Sequence, residues 1–273
     1  MKKSLFIILI FILTFLFYLL FNDLSKANII VFNDLFINKY LPCLLPFLIL
    51  TNLLYKFINF EDLYILLKKK NLSLLFDILI IFVCLINGVP GQYILLNHLQ
   101  NKGIYSKEKV EDIINNYGII SLPFIYSITN KNILYIFLLI GINTISYLLT
   151  KSKPTTYQIK DTSLNKNITN KIFHSLSTIY LFSTSVVLLA IPLKLIFNCP
   201  LIFLLLGLIE QTFPIINLVI AKYYYISYFL LNFTSFSLIY QIKKLNPSFS
   251  SINYIKKRLI LASLTPLVYF IFS

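Results

Sequence analysis

Charge is the scarcest property of this sequence. Only 12% of its 273 residues are charged, against about a quarter in an ordinary soluble domain, while 58% are hydrophobic and the mean hydropathy is +0.81. A soluble domain of this length is excluded. Histidine occurs twice, and neither His98 nor His174 has an Asp, Glu or Cys at ligand spacing, so no metal and no cofactor is expected. The three cysteines, Cys43, Cys84 and Cys199, lie in or beside apolar runs and read as small buried hydrophobes. No phosphate-cradling Walker loop is present, and no serine–lysine or paired-aspartate pattern stands inside an apolar run. Neither ATP hydrolysis nor intramembrane proteolysis is expected, and the chain is not read as an enzyme. Strand alternation of the outer-membrane barrel kind is also missing. Tryptophan is absent, and Arg258 is the only arginine among 24 basic residues, a usage that fits an AT-rich coding genome.

What the chain does have is apolar runs near the length that crosses a bilayer, repeated from end to end. These predict an all-α polytopic membrane protein of about seven full spans plus two re-entrant hairpins. The net charge of +14 sits in short connections between the runs, which reports orientation against a membrane and not a nucleic-acid footprint. Residues 1–39 read as an uncleaved anchor span, Leu5 to Phe21, with a polar connection from Asn22 to Lys39. Residues 40–150 form a first membrane half: a span from Tyr40 to Ile58, a run from Leu72 to Gln100, a helix capped by Ser106 that continues through Pro123 to Ile128, and a span from Ile133 to Leu149. Residues 151–171 read as a polar cytoplasmic linker. Residues 172–273 form a second half, with runs from Ile172, Leu201, Tyr224 and Leu259.

The run from Leu72 to Gln100 is broken at Asn87-Gly88-Val89-Pro90-Gly91. Interrupted helices survive in lipid only where protein or a wet cavity satisfies the freed backbone, which makes this break a candidate ligand site. Charge placement tests its topology. If 72–100 and 224–241 are ordinary spans, the 24 basic residues divide 13 to 11 across the membrane. If both dip in and return, the division is 20 to 4, with Lys26, Lys39, Lys131 and Lys194 outside. The positive-inside rule selects the second arrangement. Pro46 and Pro192, Ser106 and Ser250, and Pro123 and Pro266 recur at separations of 146, 144 and 143, suggesting two similar halves, which this charge division makes parallel.

Within these runs a few polar residues stand out. Gly88, Pro90 and Gly91 open a half-helix whose free N–H groups attract anions. Asn115, Asn116, Gln211 and Gln241 are candidate polar contacts to the same solute, or alternatively helix–helix hydrogen bonds. Glu210 lies in a breakable stretch, Gly207 to Pro214, and is the candidate for gating or ion coupling. Asp77 lies a turn into its run, where it either carries chemistry or reaches the headgroups. Arg258 is read either as a bidentate anion contact or as an interface anchor.

In the order Leu41-Pro42-Cys43-Leu44-Leu45-Pro46-Phe47, Asn87-Gly88-Val89-Pro90-Gly91, Lys102-Gly103-Ile104-Tyr105-Ser106-Lys107, Asn115-Asn116, Pro123-Phe124, Gly207-Leu208-Ile209-Glu210, Gln241 and Arg258, the chain resembles the sporulation integral membrane protein family of the YlbJ type. That family belongs to the nucleoside-recognition, or Gate, domain group. The chain departs from the pattern at Val89, where the family has an aromatic, and at Ser235-Phe236-Ser237, where it has paired glycines. The resemblance implies a transporter of a small anionic solute, dipicolinate, in the bacterial cytoplasmic membrane or the mother-cell-derived membrane around the forespore. Its implied partners are the lipid bilayer, that solute and other sporulation membrane proteins, with no nucleic acid. The alternatives are a nucleoside-type transporter and a non-transporting membrane scaffold in spore assembly.

Overall fold

The computed structural model describes residues 22–89, 91–119, 121–129, 132–150, 199–245 and 249–272, with scattered positions from 12 to 20 and from 177 to 188. Pro90, Pro192, the linker 151–171 and most of the runs 5–21 and 172–197 lie outside the described residues. Among the described residues every regular element is helical, so the fold is all-α. Two stretches, Ile29–Phe47 and Ile133–Thr150, are long and apolar enough to cross a bilayer.

The first element corrects the expected polar connection. Residues 22–39 are helical: α1 (Asn22–Leu35) passes through a π-helical stretch, Phe36–Tyr40, directly into α2 (Leu41–Phe57). Two of the polar side chains there pair along the helix, Asn38 Nδ2 donating to Asp34 Oδ1 one turn back at 2.5 Å, and Asn33 Oδ1 accepts from Tyr180 Oη at 2.7 Å. Next comes α3 (Phe60–Lys69), started by Asn59, whose Oδ1 accepts the Glu61 N–H at 3.1 Å. It stops at Asn71, which takes the left-handed conformation (φ 57°) while Leu72 N–H reaches back to the Leu67 carbonyl at 2.8 Å. That is a helix terminus of the Schellman type, and it turns the chain sharply.

The broken run forms α4 (Ser73–Asn87) and α5 (Gly91–Asn101), and these pack side by side. Residues near their outer ends show the doubling back. Asp77, at the start of α4, accepts from Lys109 Nζ at 2.6 and 2.7 Å and from Tyr105 Oη at 2.8 Å, both beyond the end of α5. The break expected at 87–91 is therefore the tip of a helical hairpin. Asp77, rather than reaching outward, locks the hairpin's open end.

After the hairpin, Ser106 caps α6 (Lys107–Tyr117) as expected, accepting the Lys109 N–H at 3.2 Å. The helix does not run on to Ile128. It breaks at 118–121 and restarts as α7 (Leu122–Ile128), with Ser121 as cap and Pro123 in the first turn. Proline has no N–H to give to the carbonyl four residues back. That carbonyl, Ile119 O, instead accepts the Val89 N–H from the hairpin tip at 3.0 Å. Then α8 (Ile133–Thr150) returns along the pair.

Beyond residue 199 the pattern recurs with one difference from expectation. The chain breaks at Glu210–Gln211, between α9 (Pro200–Ile209) and α10 (Thr212–Ile220), and these two helices pack on each other. It breaks again at Thr234–Ser235, between α11 (Tyr224–Phe233) and α12 (Phe236–Leu245), which scarcely touch. The second doubled-back pair is thus 200–220, and 224–245 is an interrupted helix like α6–α7. Finally α13 (Ser251–Phe272) is 22 residues long, beginning two turns before the apolar run from Leu259.

Side-chain contacts fix the helix directions. Helix α13 is antiparallel to α11, with Phe270 against Tyr225 at one end and Tyr254 against Thr234 at the other. Helix α8 runs parallel to α11, Tyr135 stacking on Tyr228 and Asn143 donating to Asn232. Helix α6 is antiparallel to α8, with Tyr117 at Thr144 and Asn116 at Thr150. It follows that α6 and α11 enter from opposite ends of the molecule, and the two hairpins open at opposite ends. The parallel arrangement and the separations near 144 residues give way to an inverted one, in which the break at Gly118 answers to that at Thr234.

Polar side chains stand inside a largely apolar core, and apolar ones cover much of the surface. Gln92, Asn116, Asn143, Gln211, Asn232, Gln241 and Arg258 are buried, while α4, α8, α9 and α13 expose rows of Leu, Ile and Phe. At the centre of this packing Gly118 admits Tyr254, whose Oη donates to the Gly118 carbonyl at 2.7 Å. A Cβ at Gly118 would lie 2.9 Å from both Tyr254 Oη and Cε2. Gly118→Ala is expected to cost roughly 1–3 kcal/mol through overpacking, read as a lower temperature for loss of monodisperse protein in detergent. Gly141→Ala, in the interior of α8 with nothing within 4 Å, is expected to raise that temperature slightly through helix propensity.

Candidate functional site

The four breaks lie at one level of the molecule. Val89 at the first tip bonds Ile119, Gly118 accepts from Tyr254, and Tyr254 Oη shares a 2.5 Å hydrogen bond with Thr234 Oγ1. The second tip joins them because α9 lies against α11, with Gly207 against the Leu230 side chain, each a few residues before its own break.

Backbone geometry at the breaks is unusual. Gly88 closes α4 at φ 63°, ψ 179°, a region essentially confined to glycine. Thr234 closes α11 at φ 63°, ψ 144°, and it is not glycine. A β-branched residue at positive φ costs of order 1–3 kcal/mol and persists only where its surroundings over-determine it. Here Thr234 Oγ1 is tied to both Tyr254 and the Phe233 carbonyl.

Arg258 is completely buried, which removes the interface-anchor reading. Its Nη1 donates to the Asn116 carbonyl at 2.8 Å, and its Nη2 donates to the Asn232 carbonyl and to Asn232 Oδ1, the latter at 2.5 Å. Asn116 and Asn232 are each the penultimate residue of a broken helix, α6 and α11. Their carbonyls are among those a helix end leaves without an intrahelical partner. Both terminal nitrogens of the guanidinium are therefore committed to the protein, and no carboxylate pairs with Arg258 among the described residues.

The asparagines serve this clasp. Asn232 Nδ2 donates to the Leu261 carbonyl at 3.0 Å and to Thr265 Oγ1 at 2.5 Å. Asn116 Nδ2 donates to the Asp112 carbonyl at 2.8 Å, and Asn115 is half-buried beside it. Glu210 is spent at a helix start: its carboxylate accepts the Thr212 N–H at 3.0 Å and Thr212 Oγ1 at 2.6 Å, at the positive end of α10. The carboxylate is thus placed as a cap for α10, beside the second tip.

The glutamines behave otherwise. Gln92, in the first turn of α5 after Gly91, Gln211, in the second tip, and Gln241, on α12, are each at most 3% exposed. Neither carboxamide atom of any of them has a hydrogen-bond partner in the protein. An unsatisfied buried polar group costs about 1–3 kcal/mol, and six such atoms stand on these three residues, Gln92 and Gln211 at breaks and Gln241 in the middle of α12. Gln211 and Gln241 were legible as polar residues inside apolar runs. Gln92, Asn143, Asn232, Thr234 and Tyr254 carry the same signal or a weaker one, and only the fold gives them roles. Among the described residues no His, Cys, Asp or Glu group has metal-holding geometry.

The clasp makes a specific demand. Arg258→Lys cannot reach two carbonyls and a carboxamide together, and is expected to lose several kcal/mol of stability. Asn232→Asp, which keeps the acceptor for Arg258 but sets a carboxylate oxygen where Nδ2 donates to the Leu261 carbonyl, is expected to melt below the parent and above Arg258→Lys. Thermal melts of the two variants in detergent check both outcomes.

No described protein family, characterised protein or solved structure matches the chain.

Proposed function

We propose that this chain is a polytopic α-helical membrane protein that transports a small polar solute. The carrying observation is the set of four helix interruptions together with three buried glutamines, Gln92 and Gln211 at breaks and Gln241 on α12, whose carboxamides the protein leaves unpaired. In a bilayer, irregular backbone is tolerated only inside protein or along a cavity, and paired interrupted helices at a repeat interface are where transporters hold their cargo. The two hairpins, α4–α5 and α9–α10, are read as re-entrant, entering from opposite faces. The exposed apolar faces of α4, α8, α9 and α13 suit lipid. Lys68, Lys69, Lys70, Lys102, Lys107, Lys109 and Lys257 sit toward the open end of the first hairpin, against Lys222 at the other. By the positive-inside rule the first hairpin opens to the cytoplasm.

Dipicolinate, the cargo that the YlbJ-type resemblance implies, remains the first solute to test, with a role in the membranes of sporulation. Half-helix N-termini at Gly91 and Phe236 offer N–H groups to its carboxylates. With Arg258 committed to carbonyls, the anion contact falls to these termini and the glutamines. A nucleoside is the second reading, favoured by the donor-plus-acceptor edge that each carboxamide presents.

Reconstituted vesicles are expected to take up dipicolinate, and nucleosides to leave that uptake unaffected; inhibition by nucleosides selects the second reading. Gln92→Ala, Gln211→Ala and Gln241→Ala are each expected to weaken binding of the transported solute roughly tenfold, the equivalent of about 1.4 kcal/mol. They are also expected to leave the melting temperature equal or raised. Folded, membrane-inserted protein that moves neither solute sinks the proposal.

A further inference from the structure

Helix α3 has one face against the first hairpin and the other uncovered. Phe60, Tyr64 and Leu67 are buried, while Leu66, Lys68, Lys69 and Lys70 are exposed. It lies across the hairpin's open end, reaching both helices of it. Tyr64 packs edge-on to Phe76 of α4, Phe60 edge-on to His98 of α5, and Glu61 bonds Lys102 just beyond α5 at 2.7 Å.

Six of the lysines at this end lie in the last turn and cap of α3 or between the end of α5 and the first turn of α6, and they divide cleanly. Lys102, Lys107 and Lys109 have carboxylate partners in Glu61, Glu111 and Asp77. Among the described residues no carboxylate stands within ion-pair distance of Lys68, Lys69 or Lys70, although the same helix carries Glu61 and Asp62 at its far end. Glu61 is taken by Lys102, and Asp62 accepts from Asn59 Nδ2 at 2.7 Å. Three consecutive ammonium groups without a carboxylate are thus held at a fixed helix end, with the chain turned away from them by the left-handed Asn71. Next in the chain, Leu72 before α4 and Leu74 and Leu75 in its first turn are exposed.

A row of cations above an apolar band is the profile of a helix lying in a membrane interface. We propose that Lys68, Lys69 and Lys70 bind the phosphate groups of anionic lipids, and that α3 passes this binding to the first hairpin as a brace on its open end. The inference rests on the membrane reading above but not on the identity of the solute. Each lysine near an anionic surface adds to the attraction, and salt screens the sum.

The test uses the full chain in phosphatidylcholine vesicles with and without phosphatidylglycerol. Phosphatidylglycerol is expected to raise the melting temperature, with the shift shrinking at high salt. The triple variant Lys68→Gln, Lys69→Gln, Lys70→Gln is expected to lose more than half of that shift, the triple arginine variant to keep it, and Lys222→Gln, at the opposite end, to keep it. An undiminished shift in the glutamine triple variant overturns the proposal, as does a shift reproduced by inorganic phosphate in neutral vesicles. Failure of the parent chain to float with either vesicle counts against the membrane reading itself, a result separable from inserted protein that ignores phosphatidylglycerol.

Discussion

The structure depends on one buried cation. Arg258 carries a full charge into the centre of the molecule with no carboxylate among the described residues to meet it, and an isolated buried charge is among the most expensive things a protein can hold. What meets it instead is backbone. A helix C-terminus is equivalent to roughly half a negative charge, and two of them, the ends of α6 and α11, point carbonyls at the guanidinium. Their sum is close to the charge being neutralised. Those carbonyls are available only because both helices stop: in continuous helices Asn116 O and Asn232 O would be taken by the next turn. The breaks and the arginine therefore require each other, and since α6 and α11 enter from opposite ends, the arginine also pins the two parts of the chain together.

The same logic runs through the second link. Tyr254, one turn before Arg258 on α13, bonds the backbone of one break at Gly118 and the side chain of the other at Thr234. At the first hairpin the positive φ is taken by Gly88, where it costs little. At the corresponding turn of α11 it is taken by Thr234, whose hydroxyl is the group that Tyr254 holds. A glycine there would relieve the backbone and lose the tie. The strain is retained because the residue that bears it is also the contact.

Much of this was legible in the chain before folding. Low charge and repeated apolar runs implied helices throughout, Ser106 marked the start of α6, and the glycines at 88 and 91 marked a tip. The stretch from Gly207 to Pro214 marked the second break, at Glu210 and Gln211. Which broken run doubles back was not legible, because a hairpin tip and an interrupted crossing have the same local composition. The choice is made by packing, where Gly207 lets α9 close on Leu230. Charge was blind to it as well: moving the second hairpin from 224–241 to 200–220 transfers a single basic residue, Lys222, across the membrane. A count of basic residues therefore supports the parallel and inverted arrangements almost equally. The break at Gly118 was hidden for a related reason, since Pro123 at the start of a new helix reads like a tolerated kink in an old one.

The polar residues of the core then separate by what the protein asks of them. Asn116 bonds the Asp112 carbonyl and Thr150, Asn232 bonds Leu261, Thr265 and Arg258, and Asn143 reaches Asn232 through its amide. They are short side chains on the helices that form the clasp, and the amide nitrogen of each is used by it. Gln92, Gln211 and Gln241 are buried as deeply and sit beside the same breaks, yet no protein atom answers either end of their carboxamides. A fold that pairs the amide nitrogen of each of these asparagines has no packing reason to leave three whole carboxamides unsatisfied beside them. Each of these carboxamides offers a donor and an acceptor in the packed interior that the described side chains and backbone leave to a small polar molecule or to water.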